Sequence, residues 1–235
     1  MPPIRKIFDL FANVKPVKSY TNIPSVHKDV DIVFLREVTE GMQSWDTSVS
    51  GSGEFRPNVE ISIGSRIITR KGSNRVALAA FEIAKNRPRK KVTAVHKEAV
   101  YRMTCGMFAE ECRKVAKNFP DVEFEEIHID TIAAHLVMEP SQFDVVVTTN
   151  QFGDILTDEA SMLTGSIGMI ASACIGDNNF GVYEPIHGSA PDIQGKGIAN
   201  PCGMILSLSM LLRHSLDLNE EALVIEQAIE DVLDD

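Results

Sequence analysis

The chain has 235 residues, a formal net charge of −10 and 44% hydrophobic residues, with a mean hydropathy of −0.03. That length holds one or two domains with a real core, and the composition is that of an ordinary water-soluble globule. The acidic balance argues against a nucleic-acid partner gripped through its phosphates, and no apolar run reaches membrane-spanning length.

In chain order, VDIVFLRE (30–37) has the pattern of a buried strand that ends in charge. SVSGSGEF (48–55) is small and glycine-rich and predicts a flexible excursion, a hairpin or an arm. From Arg66 to Ala84, apolar residues at Ile67, Val76, Leu78, Ala79, Phe81 and Ile83 recur at helical spacing. The basic cluster RPRKK (87–91) reads as a solvated turn before a strand, KVTAVH (91–96). Cys105 to Asn118 predicts an amphipathic helix, and FEEIHID (124–130) alternates as a strand. FDVVVTTN (143–150) is a fully buried strand that runs straight into the helix DILTDEASML. Alternating strands and helices of this kind predict an α/β fold with a largely parallel sheet. YEPIHGSAPDIQGKGIANP (183–201) carries too much proline and glycine to spiral or pair for long, and predicts a polar binding loop.

Cys105, Cys112, Cys174 and Cys202 show no CxxC spacing. Free, mostly buried thiols in a reducing compartment are expected, and no secretory signal pattern opens the chain, so a cytoplasmic location is the expectation.

Asp154 and Asp158 stand four residues apart where a buried strand turns into a helix, so both carboxylates share one helix face at the strand's carboxyl end. Two hard oxygens there suit Mg²⁺ or Mn²⁺, although the pair also fits a simple preference for acid near a helix N-terminus. Lys97 ends the strand KVTAVH.

Several segments, in this order, carry a resemblance: IRKIFDLFANVKP (4–16), LREVTEG (35–41), AVHKEAV (94–100), HIDTIAAHLV (128–137), FDVVVTTNQFGDILTDEAS (143–161) and the loop 183–201. Together they resemble the metal-dependent decarboxylating dehydrogenases, the family of isocitrate, homoisocitrate, isopropylmalate and tartrate dehydrogenases. The resemblance implies a two-domain fold sharing a twisted, largely parallel sheet. Residues 11–164 would form the small, dimerising domain, and 1–10 with 165–235 part of a larger NAD-binding domain. Family members begin with a strand, a glycine-rich turn and a helix ahead of IRKIFDLFANV and continue past the last helix, so the larger domain is expected to be incomplete here.

The same resemblance implies NAD-dependent, Mg²⁺- or Mn²⁺-dependent oxidative decarboxylation of a 2-hydroxy acid with a carboxylate on the next carbon. Isocitrate, homoisocitrate, 3-isopropylmalate and tartrate are the candidates. A regulatory subunit or an inactive relative of the same family is the alternative. Asp154, Asp158 and Asp130 match the metal carboxylates and Lys97 the catalytic lysine, with Asp130 and Lys97 serving the neighbouring subunit of a homodimer. Arg5, Lys15 and Arg36 match the cations that grip the substrate carboxylates, Lys15 standing where the family usually has arginine. Gln43 stands where a tyrosine usually donates the proton, and Ala99 where an asparagine faces the nicotinamide. Tyr101, four residues past Lys97, is a substitute phenol. Glu184, His187, Gly188, Ser189, Ala190 and Asn200 match nucleotide contacts. Asp192 matches the carboxylate that takes the ribose hydroxyls and would repel a 2′-phosphate, favouring NAD over NADP.

Overall fold

The computed structural model of the chain describes residues 2–41 and 53–234. Its centre is a seven-stranded sheet whose strand order follows the apolar runs of the sequence. The continuous runs β2 (Asp31–Glu37) and β7 (Val145–Thr148) lie inside, next to β5 (Lys91–His96), while the charged β6 (Glu123–His128) takes an edge. Only a strand covered on both faces keeps such a run. These four pair in parallel in the order β6–β5–β7–β2. β1 (Ala12–Lys18) runs antiparallel between β2 and β8 (Ala171–Ile175), and β9 (Gly181–Pro185) closes the far edge antiparallel to β8. β6, β5, β7, β2 and β8 therefore point one way and β1 and β9 the other. The expected α/β fold with a largely parallel sheet is the one observed.

Helices cover both faces. On one side α2 (Arg70–Lys85) and α3 (Thr104–Ala116) set Val76, Ala80, Phe81, Phe108 and Cys112 against Val33, Leu35, Val92 and Val145. On the other, α4 (Ile129–Met138) and α5 (Asn150–Leu163) set Ile132, Leu136, Leu156 and Ala160 against Ile32, Phe34, Val95 and Val146. Odd and even positions of each strand thus feed separate cores, as the two-residue period of a strand requires. α6 (Cys202–Ser215) lies over β8 and β9, and α7 (Asn219–Asp234) packs on α6, where Arg213 pairs with Glu226 at 2.7 Å. A short helix, α1 (Pro2–Ile7), precedes β1. All four cysteines are free, and three of them are buried.

Four local differences from the sequence reading have physical causes. α2 starts at Arg70 rather than Arg66 because Thr69 is extended and its hydroxyl accepts the Gly72 N–H at 3.0 Å, a helix cap. The buried Glu40 carboxylate in turn accepts the Thr69 N–H at 2.8 Å and its hydroxyl at 2.7 Å. A Cβ at Gly72 would come within 2.8 Å of that carboxylate, so only glycine admits this approach. β6 stops at His128 and α4 begins at once, which puts Asp130 in a first helical turn instead of at a strand end. The basic cluster is not plainly solvated: Arg87 Nε lies 2.5 Å from the fully buried Asp144 carboxylate, and Arg89 donates to the carbonyls of Ser141 and Phe143. Finally, the head of the polar loop does pair, as β9. Its Pro185 is tolerated because it ends an edge strand.

The glycine-rich excursion leads into an exposed hairpin of β3 (Glu54–Asn58) and β4 (Ile61–Gly64), which forms a separate two-stranded sheet. Residues 48–52 of that excursion lie outside the described residues. No helix among the described residues is long and apolar enough to cross a membrane.

Candidate active site

Because β5, β7 and β2 are parallel, their carboxyl ends open on one edge of the sheet, where ligands bind in folds of this class. Arg36 is delivered there by β2, and α5 follows β7 with a single intervening residue. Asp154 and Asp158 lie beyond the first turn of α5, which holds no acid. The helix-terminus explanation for them is thereby removed, since that field fades within one turn.

Arg36 is buried and locked. Its Nε and Nη2 donate to Asn150 Oδ1 at 3.0 and 2.6 Å, its Nη1 contacts Asp154, and Asn150 Nδ2 donates to the Glu40 carbonyl at 2.7 Å. α5 approaches so closely that a Cβ at Gly153 would lie 2.7 Å from the Arg36 stem. Lys15, buried on β1, donates to Thr157 Oγ1 at 2.7 Å, and that hydroxyl donates to the Asp154 carbonyl at 3.1 Å. Burial and then Arg36 push the Lys15 ammonium below the usual lysine range; Asp158 and Asp154 oppose, and Arg5 adds a smaller repulsion. Arg5, from α1, also feels Arg36 and touches the Cys174 thiol. Three cations and two carboxylates thus meet in one electrostatic unit. The sequence reading missed Asn150 and Thr157, which hold Arg36 and Lys15 in place.

Lys97 and Asp130 form their own pair, and the ammonium holds the exposed carboxyl below its usual range. No hydrogen bond or ion pair among the described residues joins them to the Arg36 cluster. His96, Glu98 and Glu126 beside them place one ligand atom each within 4.8 Å of the others, the spacing of a metal site. Their charges are largely paired within the group. Arg113 donates to Glu98 at 2.7 Å and Glu126 at 2.9 Å, while His96 Nδ1 accepts the Glu98 N–H and its Nε2 therefore donates to Glu126 at 3.1 Å. Tyr101 lies against Arg66, whose guanidinium is 5.0 Å from its ring and 4.9 Å from that of Phe152, and which donates to Thr149 at the start of α5. Ala99 is exposed in the turn after Lys97. Gln43 lies outside the described residues.

Glu37, next to Arg36, is buried and accepts the N–H groups of Thr39 and Glu40 at 3.0 Å. Burial, then repulsion from Glu40, pushes its carboxyl up to about 7, against the ordinary value of 4.5. A folded-state value raised this way contributes stability that is complete below pH 4.5 and lost as pH climbs through 7. Between those limits the wild type should lose on the order of 3 kcal/mol relative to Glu37→Gln. Urea denaturation of both proteins from pH 4 to 8 measures it, and parallel pH profiles would refute it.

The polar loop is tied at both ends and open between. Glu184 is half-buried in β9, and its carbonyl accepts from Ser172 at 3.0 Å. His187 Nδ1 donates to the Gly188 carbonyl at 2.9 Å. Ala190 (φ 43°), Gly195 (φ 74°) and Gly197 (φ 65°) turn the chain through left-handed conformations; Ser189, just before them, and Asp192, among them, are exposed. A Cβ added at Gly188, Gly195 or Gly197 would meet nothing within 4 Å, so the loop borders open space. Asn200 is half-buried at the entry to α6: its Oδ1 accepts the Cys202 N–H at 2.9 Å, and its Nδ2 faces Met169.

The profile of the isocitrate/isopropylmalate dehydrogenase family matches residues 1–235. The chain belongs to that family. It is 44% identical over 230 residues to the 3-isopropylmalate dehydrogenase of Methanothermobacter thermautotrophicus, covering 98% of this chain and 67% of that protein. It is 44% identical over 225 residues to the alpha subunit of mitochondrial NAD isocitrate dehydrogenase from Macaca fascicularis, covering 96% and 62%. The crystal structure of isocitrate dehydrogenase from Methylococcus capsulatus superposes with a TM-score of 0.87 at 41% identity, over 96% of this chain and 65% of that one. The chain therefore spans 62–67% of the length of these relatives.

Proposed function

We propose that the chain carries the substrate and metal site of an NAD-dependent decarboxylating dehydrogenase acting on a 2-hydroxy acid whose next carbon bears a carboxylate. One observation carries this reading: Arg5, Lys15 and Arg36 converge on the face that presents Asp154 and Asp158. Cations alone would suit any anion, and carboxylates alone any cation. Together they suit a polycarboxylate held beside a divalent metal.

The residues fit a divalent metal and a nucleotide. Asp158 is exposed, and its carboxylate accepts no hydrogen bond among the described residues, while Asp154 is shared with Arg36, so two hard oxygens are available to Mg²⁺ or Mn²⁺. Bound there, such a metal would polarise the hydroxyl and later the keto group of the substrate as a Lewis acid. The open glycines of 188–197 and exposed Asp192 fit a nucleotide, and NAD⁺ would accept the hydride. The chain's own part is to bind and orient. Arg36, immobilised by Asn150, offers a planar donor fork to a carboxylate, and Lys15 a point charge whose repulsion from Arg36 an incoming carboxylate would relieve. The partner subunit's Lys97 would take the hydroxyl proton and the partner subunit's Asp130 would complete the metal carboxylates. This requires a closed two-fold dimer. A subunit that binds without turning over is the second reading, favoured by Ala99 and Gln43 at positions where the family usually carries other groups.

The test is turnover with Mn²⁺ and either NAD⁺ or NADP⁺ on isocitrate, homoisocitrate, 3-isopropylmalate and tartrate. Reduced cofactor and CO₂ in equal amounts from at least one acid support the reading. Binding of acid and metal without turnover supports the second reading, and no binding removes both. Asp192→Lys should move the ratio of kcat/KM for the two cofactors toward NADP⁺ by trading repulsion for attraction at the 2′-phosphate. An unmoved ratio places Asp192 away from the ribose.

A further inference from the structure

Asn13 was not among the expected site residues, yet it stands beside Arg36 in the cation cluster. In β1 it is register-matched to Arg36 on β2 and to Cys174 on β8, and directly paired residues share a face of the sheet. The side chain is 1% exposed. Its Nδ2 faces the Ala173 carbonyl at 3.4 Å and Cys174 Sγ at 3.2 Å. Its Oδ1 has no donor among the described residues. Turning the amide over would aim that oxygen at the Ala173 carbonyl, so the orientation is set by its neighbours.

Arg5 mirrors this deficit. Its Nε is buried without an acceptor, and its guanidinium contacts the same Cys174 thiol. A buried donor and a buried acceptor, both unpaired, therefore flank one sulfur atom. Buried polar groups are normally satisfied, and each exception calls for a reason. Arg5 is also the least tethered of the three cations. Arg36 is held by Asn150 and Asp154, and Lys15 by Thr157, whereas Arg5 rides on the six-residue α1 and makes no ion pair among the described residues.

We propose that Asn13 is a positioning residue for Arg5. When a dicarboxylate enters beside the metal, Arg5 Nε donates to Asn13 Oδ1, and the terminal guanidinium nitrogens turn toward the ligand carboxylate. The carbonyl dipole also eases the repulsion among Arg5, Lys15 and Arg36 before any anion arrives. This inference rests on the proposed role of Arg5 in gripping a substrate carboxylate.

Two readouts test it on the whole chain: calorimetric affinity for isocitrate, 3-isopropylmalate and tartrate in the presence of Mn²⁺, and hydrogen exchange at the Arg5 Nε–H by ¹⁵N NMR, assigned with Arg5→Lys. In the wild type the Nε–H should become protected when an acid binds. Asn13→Leu should leave it unprotected and weaken acid binding roughly tenfold to a hundredfold, with Mn²⁺ affinity unchanged. Asn13→Asp keeps an acceptor and should protect the Nε–H even before the acid is added; this variant decides the matter if Asn13→Leu does not fold. A wild type that binds an acid while Asn13→Leu binds equally well, or an Nε–H left unprotected in Asn13→Asp, overturns the inference alone. A wild type that binds none of the three acids overturns the functional reading and this inference with it.

Discussion

Mn²⁺ binding should weaken sharply when either Asp154 or Asp158 becomes asparagine. A hard cation selects charged oxygen, and each change removes one of the two carboxylates that α5 presents. The loss should exceed the roughly 10–100-fold that removal of a merely supporting outer group costs. The two variants should differ in a second respect. Asp158 is exposed and makes no hydrogen bond through its carboxylate, so Asp158→Asn should change folding stability by less than about 0.5 kcal/mol. Asp154 also pairs with buried Arg36, so Asp154→Asn should weaken the grip on a dicarboxylate as well as on the metal. Titration of free Mn²⁺ by electron paramagnetic resonance, with and without isocitrate, separates these effects. Wild-type Mn²⁺ curves in both variants would mean that the metal site is not on α5.

The largest loss of stability is expected far from the chemistry, at Arg87. The Asp144 carboxylate has no solvent exposure and holds two partners, Arg87 and the Lys91 N–H at 3.1 Å. Arg87→Met would strand a buried charge on one neutral donor, a change that typically costs 3–5 kcal/mol. Arg87→Met combined with Asp144→Leu should recover part of this, because the charge goes with its partner. Urea denaturation gives the comparison. A single variant no less stable than an ordinary surface substitution would show that the Arg87–Asp144 pair does not carry this stability. Asp144 immediately precedes β7, the strand that feeds α5, so this pair anchors that strand at the end away from Asp154 and Asp158.

What could be read in the sequence was local. The four-residue spacing of Asp154 and Asp158 after an apolar strand carries its own geometry, and Lys97 at the end of KVTAVH is where β5 delivers it. Asn150 is different. In TTNQFGD it looks like a helix-start residue, and only the Arg36 fork, 114 residues away, makes it part of the site. Arg87 read as solvated because its partner lies 57 residues along the chain. The reversal of β1 was not legible either. A strand's direction is set by what it pairs with, and Asn13 gains its place only once Arg36 and Cys174 lie on either side. Local pattern could place a residue on an element and a face; it could not show which side chains from distant segments would meet it there.

The polar loop has a practical consequence for protein engineering. It hangs between two posts: β9, hydrogen-bonded to β8 as far as Pro185, and Asn200, whose Oδ1 holds the Cys202 N–H at the entry to α6. Between them, 188–197 borders open space rather than the core. A segment so mounted behaves as an exchangeable cassette. Exchanging 188–197 for a foreign loop of the same length, with Pro185 and Asn200 left untouched, should leave the thermal transition of the scaffold where it was.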